Sequence, residues 1–405
     1  MRVTETTEAA GLTSGQTVSL WMATSDLPMP QTLSDDERAD VCVIGGGIAG
    51  LTTAYCLLRE GKSVILLDDG PLCGGETCRT TAHLSNEIDD RYTHIGRIHG
   101  QQKAALAAGS HRSAIDFIEQ TIAAEHIDCD FARLDGYLFS PPDESPEMLA
   151  SELEAARQAG VDVEMVPRAP MAGFDTGPCL RFPRQAQFHP LNYLLALSQR
   201  VRQRGGLIFR AHARQIQGGK SASVNTREGY HVRADHIVVA TNTPVNDLVA
   251  IHTKQAAYRT YAIGITVPRG SVAPALYWDT LDPYHYVRVA PLQGAKFDGM
   301  DMLIVGGEDH KTGQADDAAQ RWESLELWGR EHFPMGQNVE FRWSGQVMET
   351  IDGLAFIGPN PGDAGNVWLA TGDSGMGMTH GTIAGLLLSD LIVGRHNEWA
   401  QVYDP

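Results

Sequence analysis

Three glycines near the start of the sequence are spaced so that the backbone around them could approach a bound anion. Gly45, Gly47 and Gly50 form a G-x-G-x-x-G pattern between an apolar run at 41–44 and apolar residues at helical spacing. Between a strand and a helix, the first glycine permits a tight turn and the second admits a pyrophosphate. The third lets helix and strand pack closely. The pyrophosphate then meets the positive end of the helix.

An acid at the end of the next predicted strand supports the same interpretation. The strand covers Ser63–Leu67 and is followed by Asp68 and Asp69. A carboxylate at this position accepts hydrogen bonds from ribose hydroxyls. Asp68 continues the alternation of the strand better than Asp69, so we expect the ribose contact there. A glycine-rich turn without a ligand is the alternative, and the pattern alone does not choose between NAD and FAD.

Composition excludes several classes of protein. The chain has 405 residues, 42% of them hydrophobic, and a net charge of −18. That apolar content predicts a folded core rather than disorder, and the negative charge disfavours nucleic acid and anionic membranes as partners. Residues 1–20 lack a signal-peptide pattern and no apolar run is long enough for a membrane span, so we expect a cytoplasmic protein. The six cysteines lack metal-ligand spacing and predict free thiols and no metal site.

The segment after the acid carries a resemblance to a known family. From Gly74 to Leu84 the sequence is G-G-E-T-C-R-T-T-A-H-L. It resembles the FAD-dependent D-amino-acid-oxidase-like superfamily, which includes glycine oxidase, sarcosine oxidase and gamma-glutamylputrescine oxidase. The similarity is greatest to the branch that often carries a C-terminal Rieske iron–sulfur domain. The resemblance implies FAD as cofactor, contacted in this half of the chain by Gly45, Gly47, Ile48, Ala49, Gly50, Asp68, Asp69, Thr77, Arg79, Thr80, Thr81, His83 and Leu84.

Three later segments are similar to the same family. They are the turn after Val232–Val239, the W-S-G-Q motif from Trp343, and the glycine-rich loop and helix from Ala370. In the family that loop and helix close over the flavin pyrimidine, where backbone N–H groups and the helix dipole ease reduction. The contacts implied here are Ala240, Thr241, Asn242, Gly345, Gly372, Asp373, Gly375, Met376, Gly377, Met378 and Thr379.

The predicted fold is α/β: a discontinuous Rossmann-like FAD-binding domain with an inserted substrate domain built on an antiparallel sheet. Helices are expected over 101–126, 144–158, 316–331 and 376–392, and strands fill most of 253–306. The expected boundaries are 1–39 for an N-terminal arm, 40–100, 182–250 and 336–405 for the FAD-binding domain, and 101–181 and 251–335 for the substrate domain.

Two departures from the family bear on function. Members with the Rieske extension continue beyond the end of this sequence, and no C-x-H ligand pair occurs in it. Electrons are therefore expected to pass to dioxygen, a separate acceptor protein or a quinone-like molecule. In glycine-oxidase-like members an Arg shortly after W-x-G pairs with the substrate carboxylate, whereas that position here is Val347.

The absence of that Arg favours an amine, or an N-substituted compound with its carboxylate elsewhere, as the small-molecule substrate. The expected reaction is hydride transfer from a C–H bond beside nitrogen to flavin N5, followed by hydrolysis of the imine. Two alternatives remain open. One is oxidation of an alcohol or a biosynthetic ring, and the other is an electron-transfer subunit that docks a separate Rieske or ferredoxin partner.

Candidate catalytic residues are His83, Tyr286 and Arg288. His83 could act as a base or as a positive charge that eases dioxygen reduction, or be a structural histidine. Covalent attachment of the flavin through His83, Cys73 or Cys78 is disfavoured.

Alternation places Tyr284, Tyr286 and Arg288 on one face of a strand, either lining a pocket or forming a half-buried sheet face. Predicted substrate contacts are Tyr258, Tyr261, Tyr284 and Val347. The segment Glu308–Lys311 follows the end of a predicted strand. A turn in solvent is expected there, and an approach to the flavin edge is the alternative.

Overall fold

A computed structural model describes residues 15–141, 147–245 and 249–405 of the chain. Residues 1–14 of the predicted arm, 144–146 of a predicted helix and 246–248 of the predicted FAD-binding domain lie outside the described residues. None of the described helices is long and apolar enough to cross a membrane.

Two large sheets and their helices make up the fold. The strands are β1 (Gln31–Thr32), β2 (Glu37–Ile44), β3 (Val64–Asp68), β4 (His83–Leu84), β5 (Ala132–Phe139), β6 (Glu164–Val166), β7 (Cys179–Gln187), β8 (Leu207–Arg210), β9 (Ala213–Gln217), β10 (Ser223–Thr226), β11 (His231–Asn242), β12 (Gln255–Pro268), β13 (Leu276–Asp279), β14 (His285–Pro291), β15 (Met300–Lys311), β16 (Val339–Thr350), β17 (Phe356–Pro359) and β18 (Val367–Thr371). The helices are α1 (Leu20–Thr24), α2 (Ile48–Arg59), α3 (Tyr92–His99), α4 (Gln101–Glu125), α5 (Glu147–Gln158), α6 (Pro190–Gln203), α7 (Val249–His252), α8 (Ala318–His332), α9 (Gly377–Ile392) and α10 (Ala400–Tyr403).

The first sheet is built around parallel strands that are buried on both faces. Its order is β1, β8, β3, β2, β11, with β10 and β9 continuing from one part of β11 and β18 and β17 from another. Along β2, Val41 and Val43 pack in one hydrophobic cluster with α2 and α9, while Cys42 and Ile44 pack in a second cluster. An apolar run without polar alternation is what a two-sided parallel strand requires.

The second sheet has the order β16, β12, β15, β14, β13, β5, β7, β4, and β6 also pairs with β7. Its neighbours run antiparallel except for β13 and β5, which are parallel. One face of it packs on α8 in a separate hydrophobic cluster. The α/β fold class with a mostly antiparallel second sheet is therefore confirmed.

The two sheets interleave along the chain. Strands β4, β7 and β16 come from segments predicted to belong to the FAD-binding domain, yet they hydrogen-bond into the second sheet. The predicted domain boundaries stay a prediction. What the pairing shows is that three chain segments cross from one sheet to the other, which ties the sheets together.

Candidate functional site

A cavity of about 480 Å³ lies where the first sheet faces the second. The carboxyl ends of β2, β3, β11 and β18 contribute one side of it, the edge at which α/β folds bind their ligands. The other side comes from Thr260 of β12, Tyr286 of β14, Asp309 of β15 and Tyr284, which directly precedes β14. Residues predicted to bind the cofactor and residues predicted to contact the substrate therefore line the same cavity.

Most of the predicted cofactor residues line this cavity. They are Gly45, Gly47, Ile48, Ala49, Asp68, Asp69, Thr77, Arg79, Thr80, Thr81, His83, Ala240, Thr241, Asn242, Gly345, Gly372, Asp373, Gly375, Met376, Gly377 and Met378. Gly50, Leu84 and Thr379 are not among the described residues that line it.

The glycine turn is as tight as its sequence predicts. Gly45 has φ +106°, and a Cβ there would lie 2.2 Å from the carbonyl oxygen of Ala240. A Cβ on Gly50 would lie 1.8 Å from the carbonyl oxygen of Gly45. Gly47, the N-cap of α2, has no side chain to cap the helix, and the N–H of Ile48 donates to Oγ1 of Thr77 at 3.3 Å. The start of α2 lines the cavity and brings there the partial positive charge that favours a phosphate.

Asp68 is anchored to this turn. Its Oδ2 accepts the N–H of Gly46 at 2.6 Å and its Oδ1 accepts that of Gly70 at 3.0 Å. Burial raises the pKa of Asp68 to about 6, which still leaves the group mostly ionised at neutral pH. Beside it, Oδ2 of Asp69 lies 3.1 Å from Nδ1 of His212. Both acids face the cavity where a ribose acceptor was expected.

The structure contradicts a positive charge on His83. Its Nε2 lies 3.3 Å from the carbonyl oxygen of Val287 and its Nδ1 lies 3.1 Å from the hydroxyl of Thr81. Burial, with the nearby charge of Arg288, lowers the pKa of His83 to about 3. The imidazole is therefore neutral, donates from Nε2 and accepts at Nδ1. Its surroundings therefore do not support the predicted role of His83 as a positive charge in dioxygen reduction.

Arg288 lies behind the cavity, so its predicted catalytic role is wrong. The side chain is 1% exposed, and its Nη1 donates to the carbonyl oxygens of Thr81, Ala82 and Phe188 at 2.7 to 3.1 Å. Burial lowers the pKa of this guanidinium to about 9, so it remains charged at neutral pH. Arg288 positions the segment that carries Thr81 and His83, and it is not itself among the described residues that line the cavity.

The predicted tyrosines divide into two groups. Tyr284 and Tyr286 face the cavity: the Tyr284 hydroxyl donates to Oδ2 of Asp89 at 2.9 Å, and the Tyr286 hydroxyl lies 2.7 Å from Oγ1 of Thr260. Tyr261 points the other way, where its ring stacks on His310.

Tyr258 lies opposite Val347 on the neighbouring strand, and only Val347 lines the cavity. The predicted substrate contacts Tyr258 and Tyr261 therefore lie outside the described lining. Tyr261 does so because it follows the cavity-facing Thr260, and neighbouring residues of a strand point to opposite faces.

Asp309 was not among the predicted site residues because β15 does not end where the sequence suggests. The strand continues to Lys311, so the expected solvent turn at 308–311 is wrong. Between the pairs Arg259–His310 and Tyr261–Gly307, two residues of β15 oppose Thr260 alone. This is a β-bulge, and bulges re-aim side chains near active sites. Asp309 consequently faces the cavity beside Thr260, and the Gly306–Gly307 pair is the one sequence signal for the irregularity.

Carboxylates dominate the cavity lining. Seven of them face it in the described part of the chain, against one guanidinium, that of Arg79. Burial raises the pKa of Glu87 to about 8 and that of Asp309 to about 7. Six of the seven are hydrogen-bonded or paired within the protein. Three accept from backbone N–H groups: Asp68 from Gly46, Glu76 from Gln346 and Asp373 from Met348. Three pair with side chains: Asp69 with His212, Glu87 with Arg91 and Asp89 with Tyr284.

Glu349 gives this electrostatic arrangement a measurable pH dependence. Burial and the neighbouring carboxylates raise its pKa to about 9. The folded chain then binds this proton more tightly than the unfolded chain, so the free energy of unfolding falls as pH rises from about 5 to about 9. Glu349→Gln should be more stable than the wild type at about pH 9, with the advantage lost at about pH 5, as measured by urea unfolding.

The control for this prediction is Glu323→Gln, which removes an exposed carboxylate on α8. It should show no such pH-dependent gain. Equal behaviour of the two variants would mean that Glu349 is solvated in the folded protein.

The N-terminal segment holds the predicted cofactor segment from outside. Trp21 is 2% exposed, and its Nε1 donates to the carbonyl oxygen of Thr80 at 2.6 Å. The Ser19 hydroxyl donates to the carbonyl oxygen of Cys78 at 2.6 Å, and Nη1 of Arg79 donates to that of Thr17 at 2.8 Å. These bonds hold the segment 78–80, of which Arg79 and Thr80 line the cavity.

Removal of this anchor should loosen the segment. Trp21→Ala is expected to cost about 3–5 kcal/mol of stability, because a large buried ring is lost, and to raise the dissociation constant for added FAD. Trp21→Phe keeps most of the packing and loses the bond to Thr80, so a cost of about 0.5–1.5 kcal/mol is expected. Urea unfolding and titration of the flavin-free protein with FAD measure both effects. Unchanged FAD affinity in Trp21→Ala would show that the segment does not shape the cofactor site.

Comparisons with known proteins agree with this architecture. Residues 40–391 match the protein family described as FAD dependent oxidoreductase. A Bacillus subtilis protein named as a Rieske 2Fe-2S iron–sulfur protein is 30% identical over 387 residues, which cover 95% of this chain and 74% of that protein. The gamma-glutamylputrescine oxidoreductase of Escherichia coli is 26% identical over 397 residues, which cover 93% of this chain and 89% of that protein.

Solved structures share the fold at low sequence identity. Glycine oxidase from Geobacillus kaustophilus superposes with a TM-score of 0.70 at 18% identity, covering 89% of this chain and 96% of that one. L-proline dehydrogenase from P. horikoshii superposes with a TM-score of 0.72 at 17% identity, covering 91% and 97%. From the family match, the relatives and the glycine turn together, the chain belongs to the FAD-dependent oxidoreductase family and uses FAD as its cofactor.

Proposed function

We propose that this enzyme oxidises a C–N bond of an amine or amino-acid-like small molecule. The observation that carries the proposal is the charge of the cavity, in which seven carboxylates face one guanidinium. Such a lining attracts a positively charged nitrogen and repels a free carboxylate. Val347, an apolar residue, lines the cavity at the position where an Arg would otherwise pair with a substrate carboxylate.

In this proposal the residues of the first sheet hold FAD. The turn Gly45–Gly47 and the N-terminus of α2 take the pyrophosphate, and Asp68 accepts from the ribose. The segment Thr77–Thr81 follows the linking chain, and the loop Gly372–Met376 with the start of α9 meets the flavin pyrimidine. The fit is supported by the backbone approach at Gly45, which leaves no room for a side chain.

FAD, when bound, supplies the hydride acceptor at flavin N5 for the C–H bond beside the substrate nitrogen. The protein's part is to orient the substrate against Tyr284, Tyr286 and Val347. A substrate that binds as an ammonium ion first releases one N–H proton to solvent. The neutral amine then loses a hydride, which carries two electrons and one proton, and water hydrolyses the resulting iminium ion to a carbonyl compound and ammonia or an amine. The hydrogen-bonded pairs Tyr284–Asp89 and Tyr286–Thr260 fix the rings that form the substrate side of the space.

The names of relatives support this class of substrate. The Escherichia coli relative is named for gamma-glutamylputrescine, an amine, and two structural neighbours are named for glycine and L-proline. The Bacillus subtilis relative is named for a Rieske centre, which supports a separate iron–sulfur protein as one candidate electron acceptor beside dioxygen.

Anaerobic titration of the purified holoenzyme tests the proposal. Amines, amino acids and N-methylated compounds are added in turn, with alcohols of matched size as the control series. We expect an amine-containing compound to bleach the oxidised flavin absorption band while its alcohol counterpart does not. Admission of air then measures reoxidation: rapid recovery with peroxide release indicates an oxidase, and slow recovery indicates a separate acceptor.

Failure of every nitrogen compound to bleach the flavin, with reduction by an alcohol, would contradict the proposed substrate class. It would leave the FAD-dependent fold untouched, because the flavin band itself reports that cofactor.

A further inference from the structure

Asp89 lies where the loop assigned to the flavin pyrimidine meets the substrate side of the cavity. It belongs to the turn between β4 and α3, lines the cavity and is half-buried. A Cβ on Gly375 would lie 2.2 Å from its Oδ2, so the carboxylate packs directly on the loop Gly372–Met376. The Tyr284 hydroxyl donates to the same Oδ2 at 2.9 Å. One carboxylate therefore touches both the flavin loop and a ring of the substrate side.

The second oxygen of Asp89 has access to the cavity. Tyr284 supplies the one hydrogen bond that the described residues give this carboxylate, and it goes to Oδ2. Oδ1 of Asp309 has no partner and is sealed from solvent, whereas Oδ1 of the half-buried Asp89 is not sealed. A carboxylate oxygen that is open to the cavity and has no donor from the protein can accept a hydrogen bond from a ligand.

The neighbouring cation is committed to other groups. Arg91 forms an ion pair with Glu87 through Nη1, and its Nη2 donates to the carbonyl oxygen of Asp279 at 3.3 Å. Burial raises the pKa of Asp89 to about 6 against the opposing charge of Arg91. The carboxylate is therefore mostly ionised at neutral pH, and its charge is available to a cation from outside.

The other carboxylates of the lining are less suited to such a contact. Glu76 and Asp373 accept backbone N–H groups of β16, and Glu87 is paired with Arg91. The two acids at the end of β3 belong to the ribose side of the site. Among the described residues, Asp89 alone combines an oxygen open to the cavity with contacts to the flavin loop and the substrate side.

We infer that Asp89 binds the protonated nitrogen of the substrate and holds it between the loop Gly372–Met376 and the ring of Tyr284. Oδ1 accepts from the ammonium group while Tyr284 keeps Oδ2 in place. A hydrogen bond between two charged groups selects an ammonium ion over a neutral group of the same shape. The inference rests on the proposed function and deepens it, because it names the residue that places the nitrogen beside the flavin loop.

The test uses two small ligands of nearly equal shape that the enzyme cannot oxidise. The tert-butylammonium ion and tert-butanol both lack a hydrogen on the carbon beside nitrogen or oxygen. Binding of each to the holoenzyme is followed by the perturbation of the flavin absorption band. At neutral pH the wild type should bind tert-butylammonium at least about tenfold more tightly than tert-butanol, the size of effect expected for a charged hydrogen bond.

Asp89→Asn should weaken the binding of tert-butylammonium about tenfold or more and leave that of tert-butanol unchanged. The matched control is Asp90→Asn, which removes the next carboxylate along the chain, one that is not among the described lining residues. This control should weaken tert-butylammonium by less than about threefold, because it removes a charge without removing the contact. Asp89→Ser repeats the comparison if the Asn variant fails to retain FAD.

The pH dependence of binding separates a direct contact from a structural role. Tert-butylammonium stays charged between pH about 5 and about 8, so its affinity for the wild type should rise as Asp89 ionises, with a midpoint at a pH of about 6. Tyr284→Phe should keep the preference for the cation and move this midpoint upward, because it removes a hydrogen bond that stabilises the ionised carboxyl group.

Other titratable and charged groups face Asp89 and contribute to the pH dependence of every variant. The difference between the wild type and Asp89→Asn is therefore the quantity that reports Asp89, and the rise in affinity should be smaller in the variant. These groups are Glu87, Asp90, Arg91, Tyr284, Tyr286, Asp309, Glu349 and Asp373.

Two results would overturn the inference. One is an Asp89→Asn variant that binds tert-butylammonium like the wild type, with the same pH dependence. The other is a parallel loss of both ligands and of stability to urea in Asp89→Asn and Asp89→Ser, which would show that Asp89 only supports the loop at Gly375. Neither ligand is turned over, so a failure here leaves the proposed reaction standing, and a failure to oxidise amines leaves this contact standing.

Discussion

The close approach of backbone segments at the carboxyl edge of the parallel sheet is the constraint on which the site depends. Gly45 and Gly50 have no space for a Cβ, one against the Ala240 carbonyl and the other against the Gly45 carbonyl. With side chains excluded there, β2, α2 and β11 converge tightly enough to present backbone N–H groups to one cavity. The loop before α9 closes the same edge, with Gly372 and Gly375 at positive φ.

Burial of charge explains how the second sheet completes that site. Arg288 lies in the interior and bonds three carbonyl groups, so a permanent cation fixes the backbone beside His83 without facing the cavity. Desolvation raises the pKa values of acids in the cavity to different extents, to about 8 for Glu87 and about 7 for Asp309. The negative charge at neutral pH therefore comes mainly from acids with lower pKa values, such as Asp68 and Asp373, both about 6. The result is a space of negative potential between a dinucleotide edge and a polar wall, suited to a cationic small molecule that reacts with FAD.

Sequence reasoning succeeded where local physical rules are strict and failed where tertiary packing decides. Glycine spacing, apolar runs and helical periodicity predicted β2, α2, α4 and α9 closely, because each pattern corresponds to one backbone geometry. The role of Arg288 could not be read from alternation, which assigns a face of the strand but not what covers it. Asp309 was not predicted as a site residue because a bulge inserts one extra residue into β15 and so changes which side chains face the cavity. Only the strand pairing around Thr260 shows this bulge.

A crystal structure of the FAD-bound enzyme with an alkylammonium ion that cannot be oxidised, such as tert-butylammonium, tests the central claim most directly. The account predicts the pyrophosphate at Gly45–Gly47, the flavin ring within the cavity, and the ammonium nitrogen on the side of the ring formed by Tyr284, Tyr286 and Val347. A flavin lying outside the cavity, or an ammonium bound away from these side chains, would contradict it.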